Sequence, residues 1–254
     1  MMQKEIDVTA LGELLIDFTE NGVSSQGNAL LEANPGGAPC NVLAMLGKLG
    51  KKTAFIGKVG NDQFGNMLRN TIESVGIDAE SLVIDDKVHT TLAFVHTYPD
   101  GDRDFSFYRN PGADMMLRKE EVSLDKICAS KIFHFGTLSF THAGIRTASQ
   151  YAIQCAKEAG ALISFDPNLR EPLWENLEDA RKAIEYGMEC CDILKISDNE
   201  LTFMTGEKDY DKGAVLLQQK YQIPLVCVTL GKDGSRAYYK GCLLYTSDAA
   251  DEAR

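Results

Sequence analysis

The sequence predicts an α/β fold with a mainly parallel central sheet, helices on its faces and a small β lid. Three observations carry that prediction. Short apolar or β-branched runs alternate with helical patterns along most of the 254 residues, the signature of strand–helix–strand units in a parallel sheet. A tight glycine turn, Pro35-Gly36-Gly37-Ala38-Pro39-Cys40-Asn41, runs straight into a helix. The alternation breaks once, between His89 and Arg109, where two strand-like runs flank Pro99-Asp100-Gly101-Asp102, a strong turn signal.

Taken in order, Ile6 to Leu11 is an apolar, β-branched run closed by Gly12, the first strand. Asp17 follows among Leu14, Leu15, Ile16 and Phe18, an acid that needs a partner if it is buried. Asn21 to Asn34 is polar and irregular, an excursion from the main body. After the glycine turn, Val42, Leu43, Leu46 and Leu49 recur at helical spacing and Gly50 sits where a helix ends. Thr53–Val59 reads as a strand, Gln63–Val75 as a helix and Leu82–Ile84 as a strand. Thr91–Thr97 and the alternation of Phe105 and Phe107 form the antiparallel hairpin that, with the excursion, makes the lid; its segments are about 14–34 and 88–110. From Lys131 the strands are Ile132–Phe135, Ala161–Phe165, Ile193–Ile196, Leu225–Thr229 and Ser235–Tyr239. The helices between them are Ala143–Lys157, Leu177–Cys190, Asp198–Met204 and Lys212–Tyr221.

Composition bounds the function. With 44% hydrophobic and 25% charged residues the chain is an ordinary globular protein. Its net charge of −11 repels phosphate backbones and anionic membranes, so neither nucleic acid nor a membrane is expected as a partner. The N-terminus has no signal-peptide pattern and no apolar run is long enough to span a bilayer. Seven cysteines without CxxC spacing fit a reducing cytoplasm, and His89, His96, His134 and His142 show no metal-ligand spacing.

The chemistry gathers at two places. The glycine turn offers bare backbone and unpaired helix N–H groups, and Asn41 in the first turn can point back over it. A polyol or anionic ligand suits that corner, although a plain strand–turn–helix junction would look the same. Asp166, Asn168, Lys195, Ser197 and Thr229 all stand at carboxyl ends of strands, the edge where open α/β sheets bind ligands. Walker, dinucleotide, protein-kinase and nucleophile-elbow motifs do not occur.

Together these segments resemble the PfkB, ribokinase-like sugar kinases, and within them the bacterial fructokinases. The resemblance runs through Gly12-Glu13-Leu14 with Asp17, the glycine turn to Asn41, Phe55-Ile56-Gly57-Lys58-Val59-Gly60-Asn61-Asp62 with Phe64-Gly65, and Phe107-Tyr108-Arg109 with Gly112-Ala113-Asp114. It continues through Asp166-Pro167-Asn168-Leu169-Arg170 with Leu173-Trp174, Lys195-Ile196-Ser197-Asp198-Asn199-Glu200 and Thr229-Leu230-Gly231-Lys232-Asp233-Gly234. It implies a ribokinase-like three-layer α/β/α sandwich and in-line transfer of the ATP γ-phosphoryl group to a primary hydroxyl of a ketose, first of all fructose. Ribose, 2-keto-3-deoxygluconate or a nucleoside are the neighbouring acceptors, and a non-catalytic sugar- or nucleotide-binding protein is the reading from another class.

The resemblance also implies roles. Asp17 and Asn41 would bond sugar hydroxyls, with Gly36 and Gly37 letting the backbone close on the ring. Phe94 and Phe107 would be lid contacts, a role no better supported than a plain hairpin face. Arg109, from the lid, and Arg170, beside Asn168, would bring positive charge to substrate and phosphates. Lys195, Ser197, Glu200, Thr229, Gly231 and Gly234 would form the ATP side, Glu200 placing Mg²⁺ through water. The family's late G-A-G-D segment, whose aspartate is the catalytic base, does not occur in the sequence. Residues 242–254 depart from the family, so a single domain over 1–241 with a non-native tail is expected, leaving apolar sheet surface exposed near the nucleotide edge. A homodimer through the lid is a further expectation.

Overall fold

The structure, a computed structural model, describes residues 4–97 and 103–247. In the first half, β1 (Ile6–Leu11) is followed by the antiparallel pair β2 (Leu15–Val23) and β3 (Ala29–Gly36), helix α1 (Ala38–Lys48), β4 (Thr53–Gly60) and helix α2 (Gln63–Ser74). Two short strands, β5 (Ile77–Asp78) and β6 (Leu82–Asp85), precede the hairpin β7 (Leu92–Thr97) and β8 (Arg103–Tyr108). The second half runs α3 (Leu124–Cys128), β9 (Ser130–Gly136), α4 (Ala143–Glu158), β10 (Leu162–Asp166), α5 (Leu177–Cys190), β11 (Ile193–Ser197), α6 (Asp198–Thr205), α7 (Tyr210–Tyr221) and β12 (Leu225–Thr229). It closes with β13 (Ser235–Tyr239) and β14 (Cys242–Ser247).

The central sheet has the order β14-β13-β12-β11-β10-β9-β1-β4-β5, with β6 also paired to β4. Every pairing from β12 to β5 and β6 is parallel; only β12–β13 and β13–β14 are antiparallel. Side-chain alternation splits the core in two. Leu11, Phe133, Phe135, Phe165, Leu194, Ile196 and Val228 face α3, α4, α5 and α7. Val8, Ala10 and Phe55 face Leu43 of α1 and Leu68 and Ile72 of α2. Helices therefore cover both faces, which makes three layers. The second face is covered over β1 and β4 but accessible from β10 to β13, where Leu162 is 50% and Tyr239 42% exposed. Both stand at the edge away from Ser197 and Thr229, since Leu162 opens β10 and Tyr239 pairs with Leu225 at the start of β12.

The lid is a separate four-stranded sheet, β3-β2-β7-β8. Asn21–Asn34, expected as irregular, is instead mostly an antiparallel hairpin: Asp17 faces Asn34, Phe18 Ala33 and Thr19 Glu32. Its outer half projects beyond the body, with residues 20–23 and 25–32 exposed, so it has no core to impose apolar alternation. The turn predicted at Pro99–Asp102 lies outside the described residues. Residues 242–247, set apart from the domain by sequence, run as an edge strand beside β13.

Candidate active site

The strands of the lid and of the central sheet meet above the glycine turn. Gly37 is the N-cap of α1 at φ 121°, a backbone region that L side chains avoid. A Cβ there would collide with the Glu13 carbonyl, and one on Gly36 would collide with the Asp17 carboxylate. The two glycines thus let the turn sit against the end of β1 and under β2. Ala38 N–H donates to Glu13 Oε1 at 2.9 Å, which satisfies one of the helix's orphan donors.

Above this turn lies a cavity of about 190 Å³ lined by Glu13, Asp17, Asn41, Phe105, Phe107, Asn168 and Arg170, among others. Burial pushes the Asp17 carboxyl up, and the charge of Arg170 pulls it back. Glu13 is 3% exposed, and burial raises its carboxyl to about 7 despite the Ala38 bond. A second cavity of about 350 Å³ is lined by Asn168, Arg170, Lys195, Ser197, Asn199, Glu200 and neighbours. Asn168 and Arg170 line both, so they stand at the junction.

The junction is held from below. Glu200, on the first turn of α6, accepts Leu169 N–H at 2.7 Å, Ser197 N–H at 2.9 Å and Ser197 Oγ–H at 2.8 Å. Asn168 itself is held at φ 45°, an uncommon backbone for a residue with a side chain. Lys195 Nζ reaches both oxygens of Asp166 at 3.1 Å. Burial raises the Asp166 carboxyl, and Lys195 opposes that while Glu200 adds to it. Thr229 pairs with Ser197 across β11 and β12. Beyond it the turn Leu230–Gly234 closes on its own backbone, with Gly231 and Gly234 at positive φ.

The predicted site residues sort accordingly. Asp17, Gly37, Asn41, Phe107, Asn168 and Arg170 come together around the first cavity, with Gly36 packed under Asp17. Lys195, Ser197 and Glu200 line the second, with Thr229, Gly231 and Gly234 along the same strand edge. Two placements correct the expectation. Arg109 is 7% exposed, and its guanidinium is spent on Asp114 at 2.6 and 2.8 Å, Thr141 Oγ1 and the Leu138 carbonyl. It braces the base of the lid and lines neither cavity. Phe94 stacks on Phe18 with centroids 5.0 Å apart and meets Tyr108 edge-on, so it lies on the opposite face of the lid from Phe105 and Phe107. A third placement qualifies Glu200, whose oxygens are engaged by protein donors.

Sequence reasoning left two site residues out. Phe105 stacks on Phe107 and carries the Arg170 guanidinium 5.3 Å from its centroid; its alternation with Phe107 was the signal. Glu13, an acid just past an apolar strand, was visible in its motif; Asp166, singled out at the carboxyl edge, takes its place there as the partner of Lys195.

Among the described residues no group of three or more His, Cys, Asp or Glu could hold a metal ion. Asp166 and Glu200, with their existing donors, suit a magnesium ion that keeps its waters and arrives on nucleotide phosphates. Among the described residues, no helix is long and apolar enough to cross a membrane.

Two cavities thus adjoin at Asn168 and Arg170, one under the apolar Phe105–Phe107 face of the lid and one at the carboxyl edge of a parallel sheet, where α/β proteins bind small molecules. A family model described as pfkB family carbohydrate kinase matches residues 5–251, and the chain belongs to that family. It is 46% identical over 236 residues to a probable fructokinase-2 of Arabidopsis thaliana, covering 92% of this chain and 71% of that protein. Its fold is similar to fructokinase with bound ATP from Xylella fastidiosa, at TM-score 0.84 and 31% identity over 95% of this chain and 77% of that one. A Vibrio cholerae O395 fructokinase variant in a fructose-, ADP- and potassium-bound form matches at TM-score 0.85 and 29% identity, covering 97% and 77%. The chain is an ATP-dependent sugar kinase that works with Mg²⁺.

Proposed function

We propose that the acceptor is fructose, held in the cavity of Asp17, Asn41 and Arg170, and that ATP occupies the adjoining cavity of Lys195 and Ser197. The observation that carries this is the sharing of Asn168 and Arg170 by both cavities. Asp17 accepts from sugar hydroxyls and Asn41 both donates and accepts, so the pair fixes the ring over the Gly37–Ala38 backbone. Phe105 and Phe107 roof the ring and exclude water, which strengthens every polar contact beneath them. Arg170 makes no ion pair among the described residues, so its charge remains for oxyanions passing between the cavities. Lys195 brings a second charge to that edge, damped by Asp166. ATP with Mg²⁺ supplies the phosphoryl group and neutralises charge on the phosphates, and Asp166 and Glu200 would hold the ion through its waters.

Calorimetric titration of the 254-residue chain with fructose, glucose and ribose tests the acceptor, and sugar-dependent ADP release tests turnover. Binding is the primary readout because no G-A-G-D segment occurs in residues 1–254. Fructose is expected to bind most tightly, and Asp17→Ala to weaken it about tenfold or more. Equal or absent binding of the three sugars overturns the assignment.

Two subsidiary readings go with it. The cytoplasm supplies both substrates and suits seven unpaired cysteines. Two copies pair through the outer lid face, where Val23 and Tyr108 are each 68% exposed; a monomer in light scattering at micromolar concentration would remove that.

A further inference from the structure

Glu13 lies at the floor of the sugar cavity. One oxygen, Oε1, takes the Ala38 N–H at 2.9 Å. The side chain is nine-tenths and more buried, and Glu13 lines the same cavity as Ala38. A buried carboxylate is costly unless donors reach it, and the cavity that Glu13 lines is a space where a hydroxyl donor can enter. The backbone reinforces the contact, because the Glu13 carbonyl lies where a Cβ on Gly37 would stand. The titratable and charged groups around Glu13 are Cys40 of α1, the Arg109–Asp114 pair and, across the cavity, Asp17 and Arg170. Arg109 and Asp114 neutralise each other, which leaves Arg170, across the cavity, as the cation whose charge both Asp17 and Glu13 face.

We propose that Glu13 sets the sugar subsite from below: one carboxylate oxygen fixes the glycine turn through Ala38 N–H, and the other accepts a hydroxyl of the bound sugar. The second half rests on the fructose reading above. Each bond needs a different property of the side chain. Holding the turn needs only an acceptor, which an amide also offers. Receiving the hydroxyl is best done by the ionised acid, and burial keeps that acid partly protonated near neutral pH, raised to about 7. Sugar affinity therefore increases as pH rises through that range.

The test uses the whole chain, with Glu13→Gln and Glu13→Ala. Amide hydrogen exchange at Ala38, read by NMR, reports the turn; calorimetry with fructose at pH 6 and pH 8 reports the subsite. E13Q is expected to keep Ala38 protection, to bind fructose several-fold more weakly at pH 8, and to show a smaller pH 6-to-8 gain than the wild type. E13A is expected to exchange at Ala38 at least about tenfold faster and to bind fructose about tenfold or more weakly. If E13A fails to fold, E13Q carries the test alone. Unchanged Ala38 exchange in a folded E13A overturns the positioning role. Wild-type affinity and pH dependence retained in E13Q overturn the hydroxyl contact. If the wild type binds no fructose, the acceptor assignment falls, while Ala38 exchange still decides whether Glu13 holds the turn.

Discussion

Two buried groups with opposite proton preferences make the pH dependence of stability a sharp test of this structure. Burial raises Glu13 from 4.5 to about 7, and burial, with the charge of Lys195, lowers His134 from 6.5 to about 4. Between pH 4.5 and 7 the folded chain keeps a proton on Glu13 that the unfolded chain has lost, so stability falls as pH rises. Between pH 4 and 6.5 the unfolded chain binds a proton on His134 that the folded chain refuses, so stability rises with pH. Each shift is worth roughly 3 kcal/mol at about 1.4 kcal/mol per pH unit. The two offset one another from pH 4.5 to 6.5, and Glu13 alone acts just above. The perturbations are Glu13→Gln and His134→Gln, and the assay is urea unfolding from pH 4.5 to 7.5. Relative to the wild type, E13Q should gain stability progressively as pH rises, by roughly 3 kcal/mol across the window. H134Q should lose, relative to the wild type, a similar amount between pH 4.5 and 6.5. Asp17 and Asp166, also raised by burial, share the sign of Glu13 but remain in every variant and cancel in the differences. Profiles for E13Q and wild type that stay parallel to within about 0.5 kcal/mol would refute the burial of a protonated Glu13.

Glu200→Ala strips three hydrogen bonds from buried or half-buried donors and should cost about 2–4 kcal/mol in urea unfolding; a smaller loss for Glu200→Gln is expected because one acceptor survives. Arg109→Ala leaves Asp114 buried without its partner and should cost about 3–5 kcal/mol. Arg170→Ala should leave the unfolding midpoint nearly unchanged and weaken ATP and fructose binding about tenfold or more in calorimetry. Phe105→Ala should weaken sugar binding with little loss of stability, whereas Phe94→Ala, which removes the stack on Phe18, should lower stability by about 1–2 kcal/mol and leave sugar binding alone.

The arginine and phenylalanine pairs show where legibility in the sequence ends. Arg109 and Arg170 are the same residue type, each beside a turn, and composition cannot say which one is free. The difference is Asp114, five residues after Arg109 and part of a quoted motif; burial turns that neighbour into a permanent partner. Phe94 and Phe107 differ only by parity across a hairpin. Ala93 stands opposite Phe107 and Phe94 opposite Ser106, a register that the residue types alone leave open. The central strands posed no such problem. Ile163, Phe165, Leu194 and Ile196 lie on the helix-covered face, and Leu162 and Ile193 beside them are apolar as well, so both strands read as apolar runs whatever their register. The glycine turn was legible for a similar reason, since Gly36 and Gly37 fill positions where a Cβ would strike Asp17 or Glu13. Glu13 itself was within reach by the same logic: a buried acid is costly wherever it stands, so one just past an apolar strand needs an explanation. Sequence thus marks the residues whose type conflicts with their surroundings, and leaves to register and to partners those whose type suits either face.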